Sequence, residues 1–198
     1  MSVRAFIPYS EFDMRTFIAI EIPAEIRKEM AKVQDGLKRS GADAGWTRPE
    51  GIHLTLKFLG DVPESQIEEI KKALVQAAEA TSRFRLEIAG AGAFPNPKHP
   101  RVVWLGLSGD VDRLSSLQGS VEESMTAMGF DREERAFSPH LTLARIKYLR
   151  PGYSWQQAIE SIKDIRLAGF DVDHISLMRS DLKPSGAVYT ELGRARLK

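Results

Sequence analysis

Residues His53–Gly60 read HLTLKFLG, and residues His140–Lys147 read HLTLARIK. The shared HLTL uses two of the four histidines in the chain. In a β-strand, side chains two positions apart share a face. Leu54 and Leu56 are therefore expected to point into a core, with His53 and Thr55 on the other face. Leu141 and Leu143 repeat the buried side, and His140 and Thr142 repeat the polar one. Each copy predicts an amphipathic strand that presents one imidazole and one hydroxyl.

The surroundings repeat as well. Arg15 precedes His53 by 38 positions and Arg101 precedes His140 by 39, while Phe84 follows His53 by 31 and Phe170 follows His140 by 30. RTFIAIEI before the first copy is apolar and β-branched, as a buried strand requires. Ile26, Met30, Val33 and Leu37 then recur at helical spacing over 24–39. Further helices are predicted over 63–80, 111–128 and 153–163, and further strands over 46–59, 84–94, 101–107, 170–179 and 188–197. The order is a β-α-β-α-β unit used twice, about 14–94 and 101–197. It predicts an α+β fold of two lobes with mainly antiparallel sheets. Whether 101–107 completes the first half or begins the second is open at this point.

Composition narrows the chemistry. The chain has 198 residues, a net charge of +1, and no cysteine. Disulfides, thiolate nucleophiles and cysteine zinc sites are excluded. A globally basic nucleic-acid coat is excluded too, though a local basic groove is not. No apolar run has the length of a membrane span, and residues 1–13 lack the long apolar segment of a secretory signal. The expectation is a cytoplasmic protein with a dispensable extension over 1–13 and one two-lobed domain over 14–198. A monomer is expected, because one chain supplies both motifs.

If the copies are related by an approximate two-fold, their polar faces line opposite walls of one cleft. Histidine titrates near neutral pH, so one ring can donate a proton while the other accepts one. Two threonine hydroxyls can hold the oxygens of a phosphate. Such a pair suits in-line displacement at phosphorus with no metal and no cofactor. The plain alternative is a histidine on a strand that only makes a local hydrogen bond. Packing accounts for the leucines but not for a repeated His and Thr on the outer face. A metal site lacks His-x-His or HExxH spacing. His99 in its proline-rich turn reads as solvated, and His174 reads as structural.

The chain resembles the two-histidine phosphoesterases, and within them the RNA 2′,3′-cyclic phosphodiesterase group, historically called 2′-5′ RNA ligases. The resemblance rests on MRTFIAIEIP from Met14, HLTLKFLG, GAFPNP, RVVWLGL from Arg101, HLTLAR, and SxLxPxGxxY from Ser180 to Tyr189. It implies two pseudo-symmetric lobes around a central cleft. It also implies metal-free hydrolysis of a terminal 2′,3′-cyclic phosphate to a 2′-phosphomonoester, acting on RNA ends or small cyclic nucleotides. By the same resemblance His53 donates the proton, His140 accepts one, Thr55 and Thr142 hold the phosphate, and Arg145 contacts substrate. The alternatives are ligation or cleavage of 2′-5′ linkages in the same site, or a non-catalytic RNA-binding module.

Strand parity complicates the substrate residues. Arg145 has an odd offset from His140, so it reaches the cleft only across a twist or bulge. Lys57 has the right parity to add positive charge to the cleft. Trp46 and Phe58 flank the first motif and can stack on a base, although Phe58 shares parity with the buried Leu54 and Leu56.

Overall fold

The continuous apolar run from Phe17 to Ile20 builds a buried strand. Phe17, Ile18, Ala19 and Ile20 are all buried, because this strand lies inside a sheet and under helices. In the computed structural model, which describes residues 13–184 and 186–198, it is β1, Asp13–Glu21. The expected extension over 1–13 lies outside the described residues except for Asp13.

Pro23 precedes α1 (Ala24–Arg39), whose Ile26, Met30, Gln34 and Leu37 form one buried stripe. Glu25 in its first turn and Lys38 and Arg39 in its last complement the helix dipole. β2 (Gly45–Trp46) and a 3-10 turn at Pro49–Gly51 lead into β3 (His53–Pro63). After α2 (Ile67–Glu79) come β4 (Phe84–Phe94), β5 (Val102–Gly109), α3 (Val111–Ala127), β6 (Leu141–Arg145) and α4 (Trp155–Glu160). The chain ends with β7 (Arg166–Val172), β8 (His174–Lys183) and β9 (Gly186–Arg196). The strand expected over 170–179 is thus two strands parted at Asp173, because the chain changes sheets there.

Two sheets result. One has the order β3-β1-β8-β9 and the other β2-β6-β5-β4-β7. All their pairings are antiparallel. β5 lies between β6 and β4, so 101–107 belongs with the second motif. The two sequence halves are not the two sheets. β4 from the first half joins the second motif's sheet, and β8 and β9 from the second half join the first motif's. Each motif strand sits beside the equivalent partner: β3 beside β1, and β6 beside β5.

Leu54, Leu56, Leu141 and Leu143 are buried in one core shared by both sheets and the helices. Each such leucine contributes about 1.5–3 kcal/mol on burial. That term fixes which face of β3 and β6 turns inward, and so which turns to the cleft.

Candidate active site

The outward faces of β3 and β6 line one cleft of about 490 Å³. His53, Thr55 and Phe58 reach it from β3, and His140, Thr142 and Arg145 from the start and length of β6. Phe17, Tyr189 and Leu182 continue the first wall, and Thr47 lies on the second.

A matched irregularity turns residues five positions after each histidine into the cleft. Thr55 pairs with Ala19 and Lys57 with Ile18, so Leu56 is an extra residue in β3. Thr142 pairs with Trp104 and Ala144 with Val103, so Leu143 is an extra residue in β6. These are β-bulges, and each inverts the facing of the residues beyond it. Arg145 thereby reaches the cleft despite its odd offset. Phe58 does so as well, and it is 65% exposed.

The same inversion corrects the expectation for Lys57. Its side chain points inward and lies 2.6 Å from Glu122 of α3, with Nζ also donating to the Asp131 carbonyl. Lys57 adds no charge to the cleft. Trp46 is likewise not a base-stacking residue of the cleft. It pairs with Ala144, packs 6.3 Å from Trp155, and carries Lys38 over its ring. The parity of Ala144, a buried position, takes Trp46 to the core side.

Each bulge is held by a buried polar group. Lys57 is itself in the β3 bulge. At β6 the Leu143 carbonyl accepts from the Thr47 N–H and from Nε2 of Gln34, which also donates to the Thr47 carbonyl. Helical spacing of apolar residues put Val33 in the expected stripe, and the polar Gln34 takes the buried place instead.

The two imidazoles are held alike. Nδ1 of His53 is 2.8 Å from the Gly51 carbonyl, and Nδ1 of His140 is 2.8 Å from the Ser138 carbonyl. A carbonyl only accepts, so Nδ1 carries the hydrogen in both rings and Nε2 is left for the cleft. Phe17 stacks on His53 at 4.5 Å and Tyr189 meets it edge-on at 5.0 Å. Gly51 permits that approach, since a Cβ there would lie 3.2 Å from the Tyr189 ring. Phe94 meets His140 edge-on at 5.0 Å. Burial lowers the His53 pKa from 6.5 to about 4; the Gly51 hydrogen bond opposes this and the positive charge of Arg145 reinforces it. Phe17, Tyr189 and Phe94 come from other strands, and each lies in a stretch that carried the resemblance: MRTFIAIEIP, SxLxPxGxxY and GAFPNP.

The remaining histidines lie elsewhere. His174 hydrogen-bonds Asp173 and faces Glu21. His99 is exposed in the turn that Asn96 caps.

Comparison with known proteins agrees with the repeated architecture. The sequence model of LigT-like phosphoesterases matches the chain twice, over residues 20–104 and 105–189. The chain belongs to the LigT-like phosphoesterase family. Among members of that family it is 36% identical to the RNA 2′,3′-cyclic phosphodiesterase of Methanothermobacter thermautotrophicus, covering 93% of this chain and 99% of that one. It is also 36% identical to the RNA 2′,3′-cyclic phosphodiesterase of Thermotoga maritima, over 90% and 93%. The crystal structure of Escherichia coli LigT with 3′-AMP superposes with a TM-score of 0.69 at 28% identity, covering 94% of this chain and 99% of that one. A Thermus thermophilus structure gives 0.73 at 30% identity, over 93% and 98%. This LigT-like chain has no helix among its described residues long and apolar enough to cross a membrane.

Proposed function

We propose that this chain hydrolyses the terminal 2′,3′-cyclic phosphate of RNA to a 2′-phosphomonoester, with His53 and His140 as acid and base. The observation that carries this reading is the matched pair of imidazoles, each held at Nδ1 by the carbonyl two residues before it and each lining one cleft. The names of the Methanothermobacter and Thermotoga relatives support the same substrate class.

Nε2 of His140 takes a proton from water as the water oxygen attacks phosphorus. The P–O3′ bond breaks, and Nε2–H of His53 gives its proton to O3′. One water is consumed, and the two rings end with their protonation states exchanged. Thr55 and Thr142 donate to the non-bridging oxygens, and Arg145 balances their charge. In the free cleft His53 is neutral at pH 7. A bound phosphodiester anion offsets Arg145 and stabilises the imidazolium, so substrate binding draws in the proton that the leaving oxygen then receives. The chemistry needs neither metal nor cofactor, and one chain completes the cleft, so a monomer suffices. Its compartment is the cytoplasm, where RNA ends of this kind would be met.

Phosphorus NMR of a cyclic-phosphate-ended oligonucleotide tests this directly. Wild-type protein in EDTA is expected to form the 2′-phosphate, and His53→Ala and His140→Ala each to slow it by about 10²–10⁴-fold. Full activity in either variant, or no hydrolysis by the wild type, refutes the proposal.

A further inference from the structure

An RNA end brings a run of phosphates, whereas the cleft has the volume of a small-molecule site. The strand that leads to the reacting end therefore runs over the surface outside it. Two segments leave the second wall of the cleft and meet again on that surface. Residues 94–101, FPNPKHPR, start at Phe94, whose ring lies against His140. Residues 145–156, RIKYLRPGYSWQ, start at Arg145. The Ile146 N–H donates to the Arg101 carbonyl and Arg101 Nη1 donates to the Lys147 carbonyl, both at 2.9 Å, so the two segments form one ledge. Ile146 is buried and anchors it. Farther out, Lys98 and Leu149 line one hollow of about 240 Å³ with Tyr153 and Trp155.

The ledge is basic in a chain that is not. Its two segments hold five of the 28 lysines and arginines and none of the 27 aspartates and glutamates, which leaves 23 cations against 27 anions elsewhere. Lys98, Lys147 and Arg150 are exposed, and among the described residues no carboxylate pairs with them. Glu160 lines a hollow with Lys98 but pairs with Lys163. Tyr148, between Lys147 and Arg150, is 85% exposed. Core packing does not account for that ring, and a solvated aromatic among cations is what a single strand stacks on. It lies three residues beyond Arg145, within about 10 Å along the chain. We propose that this ledge holds the single-stranded RNA leading to the cyclic phosphate, with its phosphates on Lys98, Lys147 and Arg150 and a base on Tyr148. The placement rests on the hydrolase reading and extends it beyond the cleft. The protein then selects the ends of RNA chains over cyclic mononucleotides, because only a chain reaches the ledge.

The test compares hydrolysis of an RNA oligonucleotide with a 2′,3′-cyclic end and of a 2′,3′-cyclic mononucleotide. K98A/K147A/R150A is expected to raise KM for the oligonucleotide by about tenfold or more. The slope of log KM against log salt should fall by about 2, since each phosphate contact to a single strand contributes ~0.7. For the mononucleotide, kcat and KM should stay within about twofold of wild type. Y148A is expected to weaken the oligonucleotide about fivefold or more, and Y148F to restore it. All four side chains are exposed, so folding is retained, and urea midpoints check it. Fluorescence anisotropy of the same sequence ending in a 2′-phosphate reads binding without turnover and should show the same losses. An oligonucleotide KM and affinity unchanged in the triple variant or in Y148A overturn the proposal. Equal losses for both substrates overturn it too, because the ledge then supports the cleft and not the strand. If the wild type hydrolyses neither substrate, the hydrolase reading fails, and the anisotropy alone then decides the ledge.

Discussion

Replacing Lys57 by methionine should destabilise the protein severely although it removes no apolar contact. Lys57 Nζ and Glu122 Oε1 are 2.6 Å apart, with side chains only 3% and 8% exposed. Lys57 also donates to the Asp131 carbonyl at 2.9 Å, and Glu122 Oε1 accepts from the Glu133 N–H at 3.0 Å. The pair therefore ties β3 to α3 and to the loop that leads toward His140. In K57M the Glu122 carboxylate stays buried with its countercharge gone, and the Asp131 carbonyl loses a donor. Removing one partner of such a pair costs about 3–5 kcal/mol. K57M/E122L removes both charges, so the stranded-charge penalty disappears. It should be within about 1–2 kcal/mol of wild type, making the double variant more stable than the single one. Urea unfolding followed by the fluorescence of Trp46, Trp104 and Trp155 measures each ΔG, with the slope checked for constancy. Salt should change the K57M deficit little, because the pair is shielded from solvent. A K57M cost below about 1 kcal/mol, or a double variant that loses the sum of both single costs, refutes the reasoning.

Three positions at the site, His53, Gln34 and Gly92, carry further expected outcomes. His53 should titrate near 4 by histidine NMR and shift upward when inorganic phosphate fills the cleft; a midpoint near 6.5 without phosphate contradicts its buried setting. Because its folded pKa is depressed, the unfolded chain binds the proton more readily between pH 6.5 and about 4. Stability should fall through that window on acidification, by up to about 3 kcal/mol, and the slope should flatten in His53→Asn. Gln34→Leu leaves the Thr47 carbonyl without its side-chain donor and loosens the β6 bulge. It should cost about 1–3 kcal/mol in urea unfolding and also raise KM for the cyclic-phosphate RNA, through Arg145; unchanged KM disconnects the bulge from the site. Gly92→Ala would set a Cβ 2.4 Å from the Trp104 ring, which packs on Phe94 against His140. A cost of about 1–3 kcal/mol and an altered tryptophan spectrum are expected, and neither appears if the ring has room to move.

The leucines of HLTL were legible because a two-residue period and burial point the same way. The repeat was legible because it set both histidines at matched offsets. What escaped the sequence was the extra residue at Leu56 and at Leu143. A period-two rule carries facing along a strand only until a bulge, and beyond it every assignment reverses. That is why Lys57 and Phe58 exchanged places relative to expectation. The conflict at Arg145 held the signal: resemblance placed it in the cleft while parity placed it outside, and a bulge satisfies both. Carried to the equivalent point of the first copy, that bulge gives Phe58 its exposure and Lys57 its burial. The partners around the histidines were beyond local reading, because Phe17, Tyr189 and Phe94 meet them through sheet pairing across the chain. Trp46 was misplaced for a related reason, its facing being set by pairing with Ala144.

The exchange of strands between the two sheets bears on how the protein is made. β1 is flanked by β3 on one side and by β8 on the other, and Phe17 lies opposite Met178. When a ribosome has completed both HLTL segments, the inner edge of β1 is still unpaired, and β8 and β9 do not yet exist. The first motif's sheet can close only once β8 and β9 have emerged. Such long-range pairing slows folding and leaves an open strand edge during synthesis. A nascent chain that has not yet made β8 and β9 therefore carries both histidines but lacks Leu182 and Tyr189 of the cleft wall.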